Sequence, residues 1–177
     1  MYKVRAKFIT PNYIKQNTVI DFNVDDSKIV PVIYQTQDTI LQTALGTNFY
    51  EHLKNGISAN TLTIHEEELI ENYIQPLLSE AVVYKLLPFI FVNITNKGPQ
   101  SERSANSDAS TLEDVKYLRN VVRDSYEYYL NNLNTYLCDY STLFPEYNES
   151  LPKENVKPDK KSYFGGIYIP HNKCHNC

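Results

Sequence analysis

The residues best equipped for chemistry crowd the end of the chain. "HNKCHNC" places His171, Cys174, His175 and Cys177 within seven residues. Thiolate and imidazole are the ligands zinc prefers. Structural zinc sites, however, draw their ligands from separated loops, and binding there is coupled to folding of the chain between them. Nothing around this tail supplies such a fold, so a solvated tail is expected and no metal or other cofactor is assigned. A redox CxxC pair needs a helix N-terminus to lower a thiol pKa, and no helix follows Cys174. Three cysteines, Cys138 mid-helix and two at one end, do not make a disulfide framework.

Other candidates are weaker. His52 and His65 have no nucleophile beside them and read as surface or cap-adjacent histidines. Glu66, Glu67 and Glu68 fall in the first turn of a helix, where they match the positive end of its dipole. There is no GxSxG, HExxH, P-loop or GxGxxG pattern. Lys97 and Arg103 are too few to track phosphates. A row of tyrosines near the end of the helical region could stack bases, but helical spacing marks it as core and interface first. No constellation for catalysis is visible, and the protein is not expected to be an enzyme.

Those residues sit on elements that the sequence outlines. The chain has 177 residues, 42% hydrophobic and 21% charged, with a formal net charge of -4. That balance suits a globular domain and argues against a general nucleic-acid binder, which needs clustered Lys and Arg. Fifteen tyrosines and no tryptophan imply many half-buried contact surfaces. The basic start "MYKVRAKFIT" lacks an apolar core, so no signal peptide is expected. The apolar run Ala81 to Ile94 is too short to span a bilayer.

Residues 1–24 read as an extended, β-like segment, with "VRAKFIT" and "TVIDFNV" separated by a turn or one helical turn. Residues 25–145 read as a helical bundle. Asp25 to Ser27 begin a first helix, Gly46 ends it, Thr47 caps a short helix, and Gly56 closes that. Thr63 with Glu66 is a capping box. From Leu69 to Val82 apolar residues repeat at helical spacing, with kinks expected at Pro76 and Pro88. After a polar loop, a last helix runs from Thr111 to Phe144, where Pro145 stops it. Residues 146–177 read as an extended arm with one short strand near Ser162 to Ile169. The expected fold is mainly α: a small bundle with two long antiparallel helices, a short helix after a Leu-Gly elbow, and extended ends.

The elbow carries a resemblance. In "IVPVIYQTQDTILQTALGTNFYEHL", Ile33, Gln37 and Ile40 lie on a helix ending in Leu45–Gly46. Phe49, Tyr50 and Leu53 follow on a short helix. This pattern resembles the head–tail connector (adaptor, or head-completion) proteins of tailed bacteriophages. With Phe8 to Ile14 upstream and the polar loop before the last helix, it looks closest to the ring proteins of crAss-like phages. The resemblance covers roughly residues 8–145. It implies a helical bundle that assembles as a ring, typically of twelve copies, under the portal and extends the DNA channel.

On that resemblance the protein is a structural part of the virion at the head–tail junction, made in the host cytoplasm. Its partners would be itself, the portal, and a downstream tail or second ring protein. DNA would pass without sequence-specific binding, and no membrane is involved. The elbow's aromatic pair is expected to lock the two long helices into a wedge. Tyr163, Phe164, Ile167, Tyr168 and Ile169 of the arm are expected to dock on a partner's strand edge, the portal first. The rival reading is a dimeric helical DNA-binding or regulatory protein.

Overall fold

A computed structural model of the chain describes residues 5–95, 98–101, 112–148, 156–158, 163–164 and 167–168. They form a mainly helical bundle. α1 spans Pro11–Asn17, with Thr10 accepting from the Tyr13 N–H at the N-cap and Pro11 in the first turn. α2 (Asp26–Thr36) is capped by Asp25. It passes through a π-helical segment, Gln37–Leu41, into α3 (Gln42–Leu45). α4 spans Thr47–Ala59. α5 (Ile64–Leu69), a second π-helical segment (Ile70–Ile74) and α6 (Gln75–Phe91) make one long continuous helix. α7 (Leu112–Asp139) is the other, 28 residues long, or about 42 Å. A 3₁₀ turn (Ser141–Leu143) and α8 (Pro145–Asn148) follow.

The two long helices run antiparallel. Tyr73 stacks on Tyr136 at 4.1 Å between ring centroids, and Tyr84 meets Tyr126 at 5.1 Å. The core between them and α2 holds Ile29, Ile33, Leu41, Leu69, Ile74, Leu77, Leu78, Val82, Leu86, Leu133 and Leu137. Among the described residues no helix is long and apolar enough to cross a membrane.

Several expectations are corrected. Residues 5–24 of the N-terminal segment contain no strand. Their middle is α1, and residues 5–10 before it bend at Phe8 and Ile9. Side-chain amides take the place of a partner strand. The Phe8 N–H donates to Gln37 Oε1 (3.1 Å), Gln37 Nε2 donates to the Ala6 carbonyl (3.3 Å), and Gln75 Nε2 donates to the Phe8 carbonyl (3.1 Å). Gln37 is fully buried in doing so. Both glutamines sit at π-helical segments, which rotate the ladder locally.

The second π-helical segment also accommodates Pro76. The Gln75 N–H already bonds five residues back, to Ile70, so a ring with no N–H follows a turn that has left the α ladder. Pro88 does not end the helix, which runs on to Phe91. Gly56 lies inside α4 rather than closing it. A Cβ there would stand 2.6 Å from Leu62 Cδ2, so the glycine admits a close crossing. The stop is Asn60, in the left-handed region at φ 54°. α7 ends at Asp139, and Pro145 opens α8 instead of closing the long helix. Phe144 and Tyr147 are buried, so the packed unit runs past residue 145.

Two short hairpins complete the description. β1 (Val92–Thr95) pairs with β2 (Gly98–Ser101) within the expected polar loop. In the C-terminal arm β3 (Tyr163–Phe164) pairs with β4 (Ile167–Tyr168). The single strand expected there is therefore a hairpin folded on itself. Ile169, Gly165, Gly166 and the cluster His171, Cys174, His175, Cys177 lie outside the described residues.

Gly46 has φ 76° and ψ 160°, a region essentially closed to residues with a Cβ. Gly46→Val is expected to destabilise the fold by about 1–3 kcal/mol through backbone strain. Thermal melts of mutant and wild type that coincide would show that the elbow tolerates a side chain.

Candidate functional site

The elbow is where the chain ends are fastened. Gly46 ends α3, with its N–H on the Gln42 carbonyl (2.9 Å), and starts α4, with its carbonyl accepting from the Tyr50 N–H (3.1 Å). One residue serves both helices because its positive φ reverses the path between them. Thr47 does not cap α4; no side-chain cap bond is made there. Its hydroxyl instead accepts from Gln42 Nε2 (3.1 Å) and from the Val156 N–H (3.2 Å). Its own N–H donates to the Val156 carbonyl (2.9 Å). Asn48 Nδ2 donates to the Glu146 carbonyl (3.0 Å). The first two residues of α4 thus hold two points of the chain that follows α7.

Leu45, Phe49, Tyr50 and Leu53 are all buried, as expected. Consecutive residues of a helix point about 100° apart, and Phe49 and Tyr50 use that angle to reach opposite ends of the chain. Phe49 packs on Phe144 (5.4 Å) and edge-on to Tyr147 (6.1 Å). Tyr50 stacks on Phe8 (5.8 Å). The aromatic pair therefore clamps the two terminal segments, not the two long helices as the resemblance implied.

Charge reinforces each clamp. On the N-terminal side Arg5 donates to both oxygens of Asp38 (2.6 and 2.7 Å), and the Tyr50 hydroxyl donates to Asp38 Oδ1 (2.9 Å). Arg5 also lies over the Tyr34 ring at 4.8 Å. Burial works against the Asp38 charge, but the bonds from Arg5 and Tyr50 outweigh it and lower its pKa. Burial and the same carboxylate push the Tyr50 hydroxyl far up, so it remains a donor. On the C-terminal side Nε2 of His52 is 2.6 Å from Glu66 Oε1, and Nδ1 is 3.7 Å from Glu146 Oε1. His52 ties α4 to α5 and α8. Glu66 completes the predicted capping box and accepts from the Thr63 N–H (2.7 Å) and hydroxyl (2.9 Å). Burial opposes its charge as well, yet the Thr63 bonds and His52 bring its pKa down.

The tyrosine row of α7 has two roles. Tyr126, Tyr129 and Tyr136 pack against the core. Tyr117 and Tyr128 are 69% and 62% exposed, and Leu118 and Val121 are exposed beside them. At 100° per residue, Tyr117, Val121 and Tyr128 fall within about 40° of one another, with Leu118 at the border. This outer face also carries the exposed Asp124, about 20° from Tyr117, while Lys116, Arg123 and Glu127 lie on one flank. Two tyrosines beside Val121 give this face the aromatic enrichment of an interface, with Asp124 as a charge among them.

Among the described residues no group of three or more His, Cys, Asp or Glu side chains could hold a metal. Cys138, the only cysteine among the described residues, is disulfide-bonded. The family profile described as a family of unknown function, DUF6712, matches residues 41–155. The chain belongs to DUF6712. No curated protein and no solved structure matches it. The family segment starts at Leu41, just before the elbow, and ends at Asn155, next to the Val156 that docks there. Sequence reasoning found the elbow residues but missed Gln37, Asp38 and Glu146 as their partners. These are polar residues of ordinary helical stretches, and only the fold brings their partners close.

Asp38 and Glu66 both have folded-state pKa values below their ordinary ones. Their stabilisation is complete above the unfolded carboxylate values, about 4, and is lost as pH falls through the folded values. Glu66→Gln is expected to lower stability at neutral pH and to flatten the acid limb of a denaturation profile. An acid limb of unchanged slope would remove Glu66 from that role.

Proposed function

We propose that this protein is a structural ring subunit at the head–tail junction of a tailed phage, linking the portal to the tail and continuing the DNA channel. The observation that carries the reading is the outer face of α7. Tyr117, Leu118, Val121 and Tyr128 stand exposed on a helix whose other side packs Val122, Tyr126, Leu133 and Leu137 against the core. A row of that size and composition is what a subunit contact needs. Heterologous contacts between like subunits close into rings when the rotation fits. The Leu45–Gly46 elbow with Phe49, Tyr50 and Leu53 supports the same reading through its resemblance to connector proteins.

In this reading about twelve copies assemble beneath the portal, and the C-terminal arm with its β3–β4 hairpin reaches toward it. A two-stranded hairpin is marginal in water and gains from a third strand. The net charge of -4 lets DNA pass, since few phosphates are neutralised. The role is mechanical and needs neither a catalytic residue nor a cofactor.

Val121→Glu tests this at a position outside the core. Wild-type protein is expected to sediment as a closed oligomer, alone or on purified portal. The variant is expected to sediment as a monomer with an unchanged circular dichroism spectrum. A monomeric wild type under both conditions, or a variant that assembles like it, would overturn the proposal.

A further inference from the structure

Cys138 is disulfide-bonded, and the chain holds three cysteines in all. Only Cys174 and Cys177 remain as partners within the chain, and both belong to its end, "HNKCHNC". A single bond is no disulfide framework, but it has a mechanical consequence for the arm.

The first anchor of that consequence is local. Cys138 is half-buried in the last turn of α7, about 100° round the helix from the buried Leu137. Just beyond it, Phe144 and Tyr147 pack on Phe49, and Asn148 Nδ2 donates to the Ser141 carbonyl (2.8 Å). Val156 then accepts from the Thr47 N–H and donates to the Thr47 hydroxyl. Cys138 and Val156 therefore stand at the same end of the bundle, where α7 finishes and α4 begins.

The arm leaves the bundle from that end. The antiparallel pairing of Tyr163–Phe164 with Ile167–Tyr168 reverses its direction at Gly165 and Gly166. About nine residues run from Val156 out to this reversal, and about eight run from it back to Cys174. A hairpin with limbs of matched length returns the tail to the place where the arm set out, which is the end of the bundle that carries Cys138.

We propose that the C-terminal arm is a redox-sensitive strap: a disulfide from Cys138 to Cys174 or Cys177 closes it over the end of the bundle, and reduction releases everything beyond Val156. Closure joins two thiols and removes two protons and two electrons. Glutathione disulfide accepts them and becomes two glutathione thiols; excess glutathione drives the same exchange in reverse. Cys138 is only half-buried, so a small thiol can reach the bond. Disulfides in a reducing compartment are characteristically transient or redox-sensing. The third cysteine remains a thiol. The closed loop of nearly forty residues restricts the unfolded chain, so the strapped form is the more stable one. The strap does not rest on the ring reading; within that reading, only the open form has the whole arm available to the portal.

Full-length protein incubated with glutathione disulfide, alkylated, and digested with trypsin without reduction tests the bond. Cleavage leaves Cys138 in peptide 124–153 and both tail cysteines in peptide 174–177. Monomeric protein is expected to give these two peptides as one linked species with one alkylated cysteine. Wild type is expected to melt several degrees higher oxidised than reduced. Cys138→Ser is expected to melt at the same temperature in both conditions. Three alkylated cysteines after oxidation, a 174–177 peptide closed on itself, or peptide 124–153 joined to its own copy in a dimer would overturn the strap. Linked peptides in a protein whose melting ignores reductant would overturn its hold on the bundle.

Discussion

The structure depends on one backbone conformation. At Gly46 a φ of 76° with an extended ψ turns the chain between α3 and α4 without a spare residue. That turn sets the phase of α4, so that adjacent residues Phe49 and Tyr50 point at opposite ends of the polypeptide. Phe144 and Tyr147 arrive on one side, and Phe8 on the other. The bonds of Thr47 to Val156 and of Asn48 to the Glu146 carbonyl follow from the same geometry. An elbow that could be mistaken for a plain helix break is the junction where both terminal segments close on the bundle.

The two π-helical segments belong to that arrangement. Each local widening of the helix brings a glutamine to the extended segment before α1, Gln37 from one and Gln75 from beside the other. Buried backbone groups must find partners. Here amide side chains supply them, and the segment is held without a sheet. The Arg5–Asp38 ion pair and the His52–Glu66 hydrogen bond flank the aromatic clamp on its two sides.

Much of this was legible in the sequence. The capping box at Thr63 and Glu66, the apolar spacing from Leu69 to Val82 and the glycine at 46 each carry a local physical cause, and each element is present. What could not be read depends on contacts distant along the chain. "VRAKFIT" reads as a β-type run, but nothing local says that the Phe8 N–H meets a glutamine about thirty residues on. Gln37 stands out in the sequence only through the resemblance, and its polar type gives no sign that it is buried. The spacing of the last helix runs on smoothly to Phe144, since a 3₁₀ turn at 141–143 keeps Phe144 on the inner side. The tyrosine row is one pattern with two fates. At 100° per residue Tyr117 and Tyr128 fall on the side of α7 opposite Tyr126, so the spacing itself separates the packed tyrosines from those left in water.

Exposed tyrosine and valine on the longest helix are the cost of this design in an isolated chain, and they are what an assembled state would recover. Images of wild-type particles on purified portal test this most directly. The account predicts a closed ring beneath the portal, with α7 of each copy at the boundary to the next. Bare portals beside free monomers, or a bound ring in which the outer face of α7 remains open to solvent, would contradict it.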